Sequence, residues 1–277
     1  ASLPLINAPA LWTEAGGMEN AGAGIKFASV DGGLHHEAAM FDGTGFDYPG
    51  GWPEGGLGDA ANNNGKIIAS RAYFREWDPP APGDGNTWPG ENGTSHGTHT
   101  GSTAAGNQVV AEYLGITEPL SGVAPGAWAM SYRVFYASVN GNSAAWNAEL
   151  IAALEDMVMD GADVVNNSWG GGPSSMGGEA DPVDEALINA ANAGVFVSMS
   201  AGNAGPGNGT SDHPSSEYIG VAASSTDGTY GAGRLNVTAP EPISPSLQGM
   251  SYSAANFGPL LPIGEVISNT YVTSTAV

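Results

Sequence analysis

Between Trp146 and Ser200 the chain writes one pattern twice, and that repetition restricts its possible folds more than any other feature. Trp146, Leu150, Leu154, Met157 and Val158 share one helical face, and Gly161 ends the run. Ala162 to Ser168 then reads as a strand closing on Trp169-Gly170-Gly171-Gly172. Asp181-Pro182 opens a second helix, a cap followed by proline at the first helical position. Val183, Leu187, Ile188 and Ala191 form its apolar face, and Gly194 stops it. Val195 to Ser200 is the next strand, ending at Ala201-Gly202-Asn203. Strands alternating with helices imply an α/β fold, a parallel sheet flanked by helices. In such a sheet a site forms beyond the carboxyl ends of the strands.

Other strands fit the same frame. Ile25 to Val30 is mostly apolar and ends at Asp31-Gly32-Gly33; further strands are expected at Lys66 to Phe74, Ala127 to Phe135 and Tyr218 to Ala223. The loops at Asp31, at Ser168-Trp169-Gly170 and at Gly202-Asn203 each follow a strand, so one edge of the sheet should collect all three. Residues 3–15 read as an arm anchored by Trp12. Segments 42–65 and 76–93 are rich in Gly, Pro, Asn and Asp and read as loops. Their acids Asp42, Asp47, Asp59, Asp78 and Asp84 are oxygen donors of the kind calcium takes, but no D-x-D-x-D-G spacing occurs, and solvated turn acids are expected. At Ala239 the texture changes to A-P-E-P-I-S-P-S-L, which divides the chain into 1–238 and the opening of an inserted or second module at 239–277.

Charge narrows the partners. The chain of 277 residues carries 28 acidic and 6 basic side chains, a net charge of −22, which excludes the clustered Lys and Arg that nucleic acid or an anionic membrane surface would need. With no cysteine, a thiol nucleophile, a disulfide and Cys-ligated zinc are all ruled out. No apolar run reaches the roughly 18 residues of a membrane span.

The chemistry centres on N-G-T-S-H-G-T-H-T-G-S-T-A-A-G at 92–106. His96 and His99 lie three apart on a helical face, so they read either as a metal pair or as one general base and one packed residue. A carboxylate, a histidine and an Asn between glycines are three of the four parts needed for acyl transfer by a serine nucleophile. Asp31 would orient the His96 ring, His96 would take the serine proton, and Asn203 would donate to the oxyanion.

T-S-H-G-T-H-T-G-S-T-A-A-G at 94–106 resembles the histidine motif of subtilisin-like serine proteases (subtilases), and S-A-G-N-A-G-P at 200–206 resembles their oxyanion-hole motif. V-V-N-N-S-W-G at 164–170 is similar to their substrate-binding strand, F-A-S-V-D-G-G at 27–33 to their aspartate motif, and A-P-G-A at 124–127 to their next turn. The resemblance implies a secreted serine endopeptidase acting on peptide or protein substrates, with Asp31 and His96 catalytic, Asn203 the oxyanion donor, and Ser168, Trp169 and Gly170 lining the substrate cleft. It implies a packing role for His99, a structural or surface role for His35 and His36, no cofactor in the chemistry, and structural calcium as an option. Two departures stand out. Gly32 occupies a position where the family usually has Thr or Ser, and the serine motif G-T-S-M-A is absent. Thr273-Ser274-Thr275-Ala276 is the nearest string but lacks the preceding Gly, so the nucleophile is expected beyond Val277 on the remaining C-terminal part of the protease. Residues 239–277 resemble the start of a protease-associated domain. On this reading the sheet is incomplete on its C-terminal side, and residues 1–277 alone expose core and are inactive. A non-catalytic subtilase-like module of an extracellular assembly, and a metal-dependent hydrolase built on His35, His36, His96 and His99, are the rival expectations.

Overall fold

A computed structural model describes residues 2–113, 116–172, 180–224, 234–239, 241–248 and 250–251. In chain order its helices are α1 (Ser2–Leu5), α2 (Ala8–Glu14), α3 (His96–Ala105), α4 (Asn147–Met159) and α5 (Pro182–Asn192). Its strands are β1 (Lys26–Asp31), β2 (Leu57–Gly58), β3 (Ile67–Ala72), β4 (Val109–Tyr113), β5 (Ile116–Leu120), β6 (Trp128–Arg133), β7 (Val164–Asn167), β8 (Phe196–Ser200), β9 (Ile219–Val221), β10 (Arg234–Leu235) and β11 (Met250–Ser251). Seven of these form one sheet in the order β2-β3-β6-β1-β7-β8-β9, and every neighbouring pair in it is parallel. The expected α/β architecture is therefore the observed one.

The chain forms two compact units. The larger, Ser2–Val109 with Leu120–Ser225, holds the seven-stranded sheet and the five helices. The smaller contains most of the β4–β5 pair and the antiparallel β10–β11 pair, with Leu235 opposite Met250. The expected module at 239–277 falls largely on residues outside those described, as does Ser274.

The two-residue period of a strand sorts β1 between the faces of the sheet. Ala28 and Val30 point into the main core with Leu150, Ala153, Leu154 and Met157 of α4 and Val183, Leu187 and Ala190 of α5. Phe27 points the other way, into a cluster with Ala105 of α3 and Ala127. Ser29 and Asp31 share Phe27's face by the same alternation, so Asp31 is turned toward α3. Both faces of β1 and β6 are covered, which is why these strands are buried almost end to end. Toward the far edge the second face is uncovered among the described residues. Val197 and Met199 of β8 are buried in the main core, while Phe196 is 52% exposed, and Ile219 and Val221 of β9 are 49% and 52% exposed.

Local details correct the sequence reading in places. Residues 3–15 fall mostly in α1 and α2, and Trp12 anchors them, as expected, through an indole N–H bonded to the Val123 carbonyl at 2.8 Å. Trp146 is off the core face: it is the exposed N-cap residue of α4, edge-on to Trp77, with its backbone N–H donating to Glu149. Its neighbours Leu150, Leu154 and Met157 are buried as expected. The Asp181-Pro182 start holds, with the Asp181 carboxylate accepting from the Val183 N–H at 2.9 Å.

The expected solvated loop acids divide. Asp42 and Asp47 are exposed, whereas Asp78 and Asp84 are buried. Asp84 pairs with the buried Arg133 and accepts from the Gly90 and Ala137 N–H groups, while Arg133 also donates to the Asp84, Asn86 and Trp88 carbonyls. A long loop built of Gly and Pro cannot satisfy its own backbone, and one buried ion pair with its hydrogen bonds does so here. Among the described residues no helix is long and apolar enough to cross a membrane.

Candidate active site

The carboxyl ends of β1, β7 and β8, neighbours in the sheet, carry the three expected loops on one edge. Asp31 is the last residue of β1 and only 2% exposed. His96 opens α3, and its Nδ1 lies 2.9 Å from both Asp31 carboxylate oxygens. The Gly32 N–H donates to Asp31 Oδ1 at 2.6 Å, and the Thr100 hydroxyl lies 3.4 Å from Oδ2. A carboxylate accepts and does not donate, so Nδ1 carries the proton and the lone pair is left on Nε2. Half of the His96 side chain stays exposed while its carboxylate partner is buried. The ring is thus fixed from behind and open in front.

Two glycines permit this contact. A Cβ at Gly97 would sit 2.8 Å from the Gly33 carbonyl oxygen, 2.9 Å from its nitrogen and 3.0 Å from the Asp31 Cβ, so only glycine lets α3 start this close to the strand end. A Cβ at Gly32 would meet the Thr94 methyl at 2.6 Å. Thr94 therefore fills the space into which a Thr or Ser at 32 would project, which accounts for that departure from the family pattern. The Thr94 hydroxyl also accepts from the His96 N–H at 3.1 Å.

His99 is exposed and not packed behind His96. The buried face of α3 is formed by Gly97, Gly101 and Ala105, and His99 stands about 200° around the helix from Gly97, on the solvent side. His35 and His36 stack on each other at 5.4 Å and pack edge-on against Trp88, in line with a structural role. Among the described residues no group of three or more metal-binding side chains gathers, and His96 is held by Asp31.

Beyond β7, the Ser168 hydroxyl exchanges hydrogen bonds with the Asn166 side chain. The Trp169 indole N–H donates to the Val30 carbonyl at 3.0 Å, tying this loop to the strand that ends in Asp31, and its ring packs edge-on against His213. Its side chain is thereby turned toward the core, and Gly170 beside it is exposed. Asn203 is exposed and follows Gly202, whose φ of +82° only glycine adopts freely.

A buried polar cluster lies behind these loops, and sequence reasoning did not find it. His213 Nδ1 is 2.7 Å from Asp184 Oδ1, and the Tyr218 hydroxyl is 3.0 Å from the same oxygen and 2.7 Å from the His213 carbonyl. Burial, followed by the Asp184 carboxylate, pushes the Tyr218 phenol above its ordinary range. Next to it Asp212 is buried, with its carboxylate set between Gly170 and Gly202. Asp-His-Pro in a loop carries no local pattern that would have singled it out.

The fold and this pair define an α/β protein that presents a carboxylate-oriented histidine at the carboxyl edge of a parallel sheet. The chain matches the model of the subtilase family, Peptidase_S8, over residues 22–266, and it belongs to that family. It is similar to subtilisin-like proteases of Arabidopsis thaliana. It is 29% identical to SBT2.2 over 242 residues, covering 79% of this chain and 27% of the relative. It is 34% identical to SBT4.3 over 213 residues, covering 72% and 25%, and 32% identical to SBT5.4 over 235 residues, covering 82% and 29%. The chain thus spans between a quarter and a third of the length of these relatives.

Proposed function

We propose that this chain supplies the Asp, His and oxyanion parts of a serine endopeptidase that cleaves peptide or protein chains. The observation that carries the reading is the His96 Nδ1 to Asp31 contact at 2.9 Å, in a member of the subtilase family. A serine hydroxyl brought to Nε2 loses its proton to His96 as its oxygen attacks the scissile carbonyl. Asp31 holds the tautomer and stabilises the imidazolium, and His96 then returns the proton to the leaving amine. Asn203 donates its side-chain N–H to the oxyanion, a contribution of about 10²–10³ in rate for a donor of this kind. The peptide lies extended along Ser168, Trp169 and Gly170, held by main-chain hydrogen bonds. With Trp169 packed inward, that edge is mostly backbone.

The nucleophile belongs, on this reading, to a segment following residue 277. The bare second face at Phe196, Ile219 and Val221 supports a further element packing there. The chemistry uses no cofactor; a bound calcium ion would serve structure only. The protein acts outside the cell, without a nucleic-acid or membrane partner. A fluorophosphonate probe tests the reading on the full-length protein. One covalent adduct on a serine is expected, and it should be lost in H96A. A full-length sample that forms no adduct would sink the protease reading and leave the non-catalytic module.

A further inference from the structure

Asp212 has no part in the chemistry just described, yet its surroundings are those of a binding residue. It is 6% exposed, and its Oδ1 is buried without a hydrogen-bond partner. The described cations of the larger unit are engaged elsewhere: Lys26 with Asp163, Lys66 with two carbonyls, Arg71 with Asp160, Arg75 with Glu149 and Asp78, and Arg133 with Asp84. The adjacent His213 ring is bonded to Asp184. A buried carboxylate with no counter-charge is unfavourable alone and becomes favourable when a cation reaches it.

Its position says where that cation would come from. The carboxylate lies between Gly170 and Gly202, and a side chain at either glycine would overlap it. Gly170 ends the Ser168-Trp169-Gly170 edge, and Gly202 precedes Asn203. β7 and β8 are parallel neighbours, so the loops that follow them lie side by side with the Asp212 carboxylate set between them. A peptide extended along the first loop, with its scissile carbonyl at Asn203, would carry the side chain on the acyl side of that bond toward the space between Gly170 and Gly202, where the carboxylate lies. We propose that Asp212 is a specificity-determining residue that selects Lys or Arg on the acyl side of the scissile bond. This rests on the protease reading above. A charge in such a space discriminates because a neutral side chain leaves the carboxylate buried and unpaired.

Two fluorogenic peptides that differ only in Lys or Met at that position test it, with the full-length protease. The ratio of kcat/KM for Lys over Met should be at least about 10 in the wild type and should fall about 10- to 100-fold in D212N. Inhibition of the wild type by n-butylammonium, and not by n-butanol, gives a second measurement should D212N fail to fold; it should be competitive. A Lys-to-Met ratio at or below one in a protein that still takes a fluorophosphonate adduct overturns this proposal alone. So does a ratio unchanged in folded D212N, or equal inhibition by the cation and the alcohol. No cleavage of either peptide, with no adduct, overturns the protease reading and this proposal with it.

Discussion

Lys66 is fully buried, yet its ammonium has no carboxylate partner among the described residues. Its Nζ donates to the Pro125 and Ala127 carbonyls at 2.6 Å each and lies 4.4 Å from the centre of the Phe46 ring. The residue pins the A-P-G-A turn to the start of β3. Burial pulls its pKa from 10.5 down to about 7. Between those values the unfolded chain binds more protons than the native one, so the wild type gains stability as pH rises from 7 toward 10.5. Below pH 7 the cost of burying the charge is fully present. K66M removes that titration. The variant should compare best with the wild type at pH 6 and lose ground by on the order of a few kcal/mol by pH 10. Chemical denaturation of both proteins across this range measures the difference; a gap that is flat or narrows in the wild type's disfavour with rising pH would refute it.

At the scale of elements, α3 decides how the site is built. Its first turn is seated on the Asp31-Gly32-Gly33 bend because Gly97 has no side chain, and its middle is seated on Leu34 because Gly101 has none. The obstacles differ in kind. At Gly97 a methyl group would meet backbone atoms of Gly33, which cannot yield without moving the strand end. At Gly101 it would meet the Leu34 side chain at 2.5 Å, which can turn. G97A should therefore cost about 1–3 kcal/mol of stability, as overpacking of a close contact does, and, on the proposed protease reading, should lower kcat of the full-length protein by displacing His96 from Asp31. G101A should cost less and leave kcat nearer the wild type. Thermal unfolding and steady-state kinetics of the pair distinguish them; equal effects on kcat would show that Gly97 does not set the His96 geometry. The helices were legible in the sequence where an apolar face ends at a glycine, as in α4 and α5. α1 and α2 were not, because Pro4, Pro9 and a mostly exposed face break the periodic signal.

At the scale of the whole molecule, the described residues cover the sheet on both faces at its centre and on one face at its far edge. Phe196, Ile219 and Val221 form a bare apolar strip in a protein of net charge −22. Residues 1–277 prepared alone are expected to bind 1-anilinonaphthalene-8-sulfonate and to self-associate despite that charge, and F196S/I219T should weaken both. Size-exclusion chromatography with dye fluorescence provides the measurement. A monodisperse monomer that ignores the dye would show that the strip is covered within this chain.

The sequence by itself determined the parallel α/β frame, because glycine-stopped helices and short apolar strands recur at spacings that a two-residue and a 3.6-residue period interpret without ambiguity. It also singled out Asp31, His96 and Asn203 as candidate site residues, since each stands in a short motif at the end of a strand or the start of a helix. Tertiary structure alone joined Asp31 to His96, residues 65 positions apart. It put His99 in solvent, turned Trp169 inward, buried Asp84 against Arg133, and placed Asp212 between Gly170 and Gly202. Each of those outcomes depends on which backbone segments meet across the sheet, and pairwise contact between distant loops leaves no period in the chain to be read.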